Sequence, residues 1–267
     1  MSLIEKITRG PAGDFLLILL IGDLFFCVLH FVAGWGGLPL SFRITHDFSA
    51  PEAFQYLKFL WCAVLLIVLA IRRRAIAYLA WVPLMVFLLA DDALRWHEAL
   101  GNQFEAVIGG LFGAVQLPQK AELDDLGESL SVVLMAVPLL LVPAWTALRG
   151  EQGLKREFRV VFGLLVMLGF FGLIVDTGGK FFGPPRLLMN RATFYDALDF
   201  VEDAGEMVVA SLLLSYLFAL VTTQPARRFN PLLSLSSVPD HDQVLTTAKG
   251  QPSMRTTAHG GPEQHSL

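Results

Sequence analysis

Six long apolar runs constrain this chain more than any other feature. They lie at about Phe15–Val32, Phe54–Ile71, Ala75–Ala90, Ser129–Leu148, Val160–Val175 and Met207–Val221. Each approaches the ~17–25 residues of helix that a bilayer span needs. Backbone polar groups in hydrocarbon must be paired within their own segment, so such runs are read as helices. The balance of residues agrees: 54% are hydrophobic and 16% charged, where a soluble domain carries about a quarter charged residues. We therefore expect an all-α, polytopic integral membrane protein, a bundle of about six transmembrane helices. Residues 1–14 form a short N-terminus and 15–221 the membrane domain. Residues 222–267, rich in Pro, Ser, Thr, Gln and His without an apolar period, are expected to be disordered. The first run follows Lys6 and Arg9 but is long for a signal peptide, and no small-residue cleavage site follows it, so it is read as a retained anchor.

Positive charge sets the expected orientation. Arg72, Arg73 and Arg74 separate the second and third runs, and Arg149, Lys155, Arg156 and Arg159 the fourth and fifth. Arg227 and Arg228 follow the sixth. With six spans these segments and both termini share one side, the cytoplasm, which then holds 13 of the 20 Lys and Arg residues. The opposite side holds 16 of the 24 Asp and Glu residues. The expected location is the plasma membrane, most naturally a bacterial inner membrane. The Arg72–Arg74 junction lacks Gly and Pro, yet a tight hairpin is expected there because three arginines are too costly in mid-bilayer. Ala106–Pro118 is apolar but too short to span, which suits a re-entrant or interfacial segment.

The third, fifth and sixth runs hold only about 15–16 uncharged residues, roughly 24 Å of helix at 1.5 Å per residue, against a hydrocarbon core of ~30 Å. Each helix is therefore expected to continue into its acidic end. That would bring Asp91, Asp92, Asp176 and Glu206 about one turn below the interface, where a carboxylate needs a partner or a task. Asp91, Arg95 and Glu98 recur on one helical face with His97 beside them, and Asp199, Glu202 and Glu206 do the same. Asp125 and Glu128 are one turn apart. Carboxylates and an imidazole converging from several helices make a divalent-metal ligand set, so Asp91, His97, Glu98, Glu128, Glu202 and Glu206 are the candidate metal ligands. The local alternative is that acids at 124–128 and 199–206 cap helix N-termini, while Asp91 and Asp92 pair with Arg95 and Asp176 with Lys180.

Asp23 stands near the middle of the first run, in a stripe with Cys27 and His30. A mid-membrane acid is a functional candidate by default. Its expected partners are a neighbouring helix's Ser211 or Ser215, and Asp23 and Asp176 are the candidate proton or ion path. His30 is read as a satisfied interfacial histidine. Cys27 and Cys62 lie within apolar runs and are read as small buried side chains. Pro138 and Pro143 are expected to kink the fourth span, and Gly163, Gly169 and Gly172 to admit close packing in the fifth.

No His-Glu-x-x-His, P-loop or Gly-x-Ser-x-Gly motif is present. A net charge of −4 gives no reason to expect nucleic acid as a partner. Three functions stay open. The first is a membrane-embedded, metal-dependent hydrolase acting on a lipid or lipid-linked substrate. The second is a cation- or proton-coupled transporter using Asp23. The third is a non-catalytic membrane subunit or sensor with a membrane-protein partner.

Overall fold

A computed structural model of the chain describes residues 8, 10–96, 99–100, 120–150, 152–175 and 190–223, without the side chains of 120–126, 128, 129, 191 and 192. Six helices in it are long and apolar enough to cross a membrane. Helix α1 is Pro11–Gly34 and α2 is Ala50–Arg73. A 3-10 segment, Ile76–Trp81, leads into α3, Val82–Leu94. Helix α4 is Lys120–Arg149 and α5 is Gln152–Gly169, which passes into a π-helical segment, Phe170–Val175. Helix α6 is Arg191–Thr222. The bundle class is as the apolar runs predict, and so are the six spans.

Local chemistry explains the ends. Pro11 opens α1, where a missing N–H costs nothing. Ser49 and Glu52 form a reciprocal capping box at the start of α2. Arg74, at φ 51°, ends α2 in the left-handed region, and Ala75 is extended. The tight hairpin expected at the three arginines is therefore present, built from one strained non-glycine residue instead of a glycine turn. Arg95, also left-handed at φ 53°, ends α3 and donates its N–H to the Asp91 carbonyl.

Helix α6 is the hub. It packs on α1, α2 and α5, and 67% of its most apolar window is buried against 11% for α4. Small side chains make the close approach feasible: Ala210, Ser211, Ser215 and Ala219 are all fully buried. The core runs from Leu16 and Leu19 of α1, through Phe59, Leu66 and Leu69 of α2, to Leu213, Leu214 and Leu217 of α6. Leu17, Ile18, Leu24 and Phe25 of α1 and Leu141, Val142 and Trp145 of α4 face outward, as surfaces in contact with lipid tails do.

The contacts define two ends. At the arginine end, Arg73 of α2 meets Tyr78, Glu157 of α5 and the Leu220 carbonyl of α6. At the acidic end, the Tyr56 hydroxyl lies 3.2 Å from the Asp92 carbonyl, and Arg95 pairs with Asp47 at 3.0 Å.

Helix lengths correct the local alternative for the acids. Asp199, Glu202, Asp203 and Glu206 lie well inside a 32-residue helix, not at its N-terminus. Asp124, Asp125 and Glu128 likewise fall inside α4. The dipole favours acids only within the first turn, so N-terminal capping explains neither group. Asp91 and Asp92 are in the last turn of α3, as the short run requires. Of the three glycines expected to admit close packing, Gly172 does so: a Cβ there would collide with the Glu206 carboxylate. Gly163 does not, since nothing stands within 4 Å of its would-be Cβ. Pro138 and Pro143 both lie within α4. Ala106–Pro118, Asp176 and the tail from residue 224 lie outside the described residues.

Candidate functional site

Halfway along α1, Asp23 turns into the bundle and is 3% exposed. Two helices meet it. The Ser211 hydroxyl of α6 donates to Asp23 Oδ2 at 2.6 Å, and Lys58 Nζ of α2 donates to Oδ1 in a short ion pair. Lys58 also donates to the Met207 carbonyl at 3.0 Å. Its ammonium lies 4.5 Å from the centre of the Phe54 ring, a favourable place for a cation. Gly22 leaves room for that ring, since a Cβ there would sit 3.2 Å from it.

The residue types explain the enclosure. A carboxylate and an ammonium are tolerable out of water only when paired and hydrogen-bonded. Here each charge has the other plus a second partner. The Lys58 side chain is 0% exposed and that of Asp23 4%, so neither charge faces bulk solvent.

Ser211, one of the two partners expected for Asp23 from sequence, does pair with it. Ser215, the other named partner, instead donates to the Ala12 carbonyl at 3.0 Å. Lys58 was missed. The signal was present, because Lys58 is an ionisable residue inside an apolar run and the rule that singled out Asp23 applies to it equally. An acid in one span and a base in the next, antiparallel one can meet at the same depth.

His30 is a satisfied residue, as expected. Its Nδ1 accepts the Ile44 N–H at 3.2 Å, and its ring stacks near Phe200 of α6. Cys27 is half-buried, Cys62 is in the core, and both are free thiols.

The candidate metal ligands are brought together less. His97, Glu98 and Asp176 lie outside the described residues, as does the Glu128 side chain. Asp91 is 5% exposed in α3, and Glu202 and Glu206 are half-buried in α6. Among the described residues, no group of three or more His, Cys, Asp or Glu side chains is placed to hold a metal ion. The Glu206 carboxylate stands against Gly172 in the π-helical segment.

A second polar cluster occupies the arginine end. Arg73 pairs with Glu157 at 2.6 Å and donates to the Leu220 carbonyl at 2.8 Å. The Tyr78 hydroxyl donates to the same Glu157 carboxylate. Arg72 reaches the Val221 carbonyl at 3.4 Å. These contacts satisfy carbonyls left over at the C-terminus of α6 with cations, which the helix dipole favours.

The family described as "Domain of unknown function (DUF8692)" matches residues 46–220 of the chain, and the chain belongs to that family. The matched stretch takes in Lys58, Met207 and Ser211 and begins after α1, which carries Asp23. Neither the curated proteins nor the solved structures include a match to this chain.

Proposed function

We propose that this member of the DUF8692 family is a proton-coupled membrane transporter whose titrating site is the Asp23–Lys58 pair, with both termini in the cytoplasm of a cell with this protein in its plasma membrane. One observation carries the reading: an acid, a base and a hydroxyl from three helices are enclosed together halfway along the bundle. A buried ion pair is a poor way to stabilise a bundle, since apolar residues of similar volume do as well or better. Ionisable groups at this depth mark ion or proton pathways.

The chemistry selects the proton over a metal cation. The Lys58 ammonium occupies the side of Asp23 where an alkali or divalent cation would bind, so such an ion would meet like charge. A proton adds the same charge but needs no coordination sphere, so it can reach the carboxylate without displacing the ammonium. Its transfer to Asp23 Oδ1 neutralises the carboxylate and leaves Lys58 as an unpaired buried cation, which costs several kcal/mol, of the order of the ~3–5 kcal/mol seen when a buried pair is broken. The bundle relieves that charge by letting Lys58 give up its own proton or by moving α2 relative to α1 and α6. Either response links a protonation event to a change in helix packing.

The test is proton entry into liposomes that contain the purified protein and a trapped pH dye, driven by a potassium diffusion potential. Asp23→Asn should abolish the dye response, and an undiminished response would reject the role of Asp23.

A second reading keeps the metal-dependent hydrolase. The observation in its favour is that the acids of α6 lie inside a continuous helix, where capping does not account for them. Asp91, His97, Glu98, Glu128, Glu202 and Glu206 would share a divalent ion that lowers the pKa of bound water. The substrate would be a lipid or lipid-linked group. Elemental analysis of protein purified without chelators tests it: stoichiometric metal lost in Glu202→Gln/Glu206→Gln supports the site, and metal-free protein removes it.

A further inference from the structure

Helix α2 changes character at Lys58. Toward the acidic end, Gln55 lies one turn before Lys58, and Glu52 and the N-cap Ser49 open the helix. Toward the arginine end it carries Cys62, Leu66 and Leu69, each 0–1% exposed. Ser49 and Glu52 satisfy each other through the capping box. Gln55 is different. It is 6% exposed, and neither its Nε2 nor its Oε1 has a hydrogen-bond partner among the described residues.

A buried primary amide with both ends unpaired costs about 1–3 kcal/mol for each group left unsatisfied. Native proteins rarely retain that cost without a water, an ion or a ligand to meet it. The other unpartnered buried side-chain atoms are single N–H groups: Arg43 Nε, Arg73 Nε and Trp81 Nε1. Arg73 satisfies its remaining nitrogens with Glu157, Tyr78 and the Leu220 carbonyl. Among the described residues, Gln55 alone presents an unpartnered donor and acceptor together, one helical turn from Lys58.

The opposite side of the pair is closed. Leu19 of α1, Leu66 and Leu69 of α2, and Leu213 and Leu217 of α6 are 0–2% exposed. On that side the Ser215 hydroxyl donates to the Ala12 carbonyl at 3.0 Å.

We infer that Gln55 is a water-binding residue on a one-sided hydrated path: it links the Asp23–Lys58–Ser211 site to the acidic end, while the leucine layer seals the site from the arginine end. Water is the ligand class because it supplies the donor and the acceptor that the amide lacks, and it can carry a proton onward to Asp23. In this conformation the pair exchanges protons with the acidic-end solution only. The inference deepens the transport reading and depends on it for its use, but its test reads water access and not transport.

The test uses two reactive side chains that flank the pair in the unaltered protein. Met207 lies at the level of Lys58, whose ammonium its carbonyl accepts, and Cys62 lies one turn toward the arginine end. Both are buried, at 3% and 0%. X-ray hydroxyl-radical footprinting oxidises side chains next to internal water, and mass spectrometry reads the products. The expected result is Met207 oxidised about tenfold faster than Cys62, the difference between a site open to water and one that reacts only after local opening. Equal protection of both would make the site dry and overturn the inference, and equal oxidation would abolish the seal. A second arm changes Gln55→Cys or Leu66→Cys in a Cys27→Ala/Cys62→Ala background and applies a membrane-impermeant thiol reagent to one face of vesicles at a time. Only the Gln55 position should react, and only from the acidic-end face. Reaction from the arginine-end face, or none from either, contradicts the path. Because neither arm measures flux, a dry site with intact flux and a wet site without flux remain separate results.

Discussion

The pair at mid-bundle and the cluster at the arginine end are both built from a base, an acid and a hydroxyl, yet they do different work. Arg73 and Glu157 keep 16% and 12% of their side chains exposed, whereas Lys58 and Asp23 keep 0% and 4%. Arg73 also spends a donor on a carbonyl at the end of α6 that would otherwise need another partner. The arginine-end cluster is therefore accounted for by architecture: it ties the ends of α2, α5 and α6 and the start of the third span. No such service explains Asp23 and Lys58, since their removal as a pair would expose no helix end. Two similar sets of residues thus differ in whether structure alone requires them.

Breaking one partner of the inner pair should have the largest effect. Lys58→Met leaves Asp23 enclosed and unpaired and should cost about 3–5 kcal/mol in unfolding measured in detergent. A loss below that of an exposed pair would mean that Asp23 takes up a proton once its partner is removed. Arg73→Leu should cost less, about 1–3 kcal/mol, because the Glu157 carboxylate and Leu220 carbonyl it abandons lie near the rim. If this substitution proves the more damaging of the two, the arginine-end cluster and not the inner pair is the more deeply enclosed. Ser211→Ala removes one hydrogen bond to a charged group and should cost about 1.5–3 kcal/mol if Asp23 stays ionised, and nearer 1 kcal/mol if it is protonated. The same denaturation series therefore reports the charge state. Asp47→Asn, at the exposed Arg95 pair, should cost no more than about 1 kcal/mol. A larger loss there would show the acidic end to be less solvated than its exposure implies.

The class of fold was legible because bilayer thickness turns run length into structure. Span ends were less so. The runs stop at charged residues but the helices do not, which is why α6 begins at Arg191 although its apolar run begins at Met207. Half of the inner site was legible: Asp23 stands out as a lone acid, and Ser211 is a hydroxyl on a span able to reach it. Lys58 was harder to see because its long alkyl stem suits an apolar run and leaves the run unbroken. Gln55 gave no signal, since its lack of a partner exists only once α2 is packed. The acidic ends remain a matter of sequence for His97, Glu98 and Asp176, which the structure does not describe.

If the Asp23–Lys58 pair serves transport and not folding, one variant separates the two roles. Asp23→Leu/Lys58→Met removes both charges at nearly constant volume, so it should unfold within about 1 kcal/mol of the unaltered protein or above it. Proton flux into dye-loaded liposomes by that double variant is the most direct measurement. A folded bundle with no flux is the expected result. A folded bundle with full flux would contradict it and leave the pair as an architectural feature.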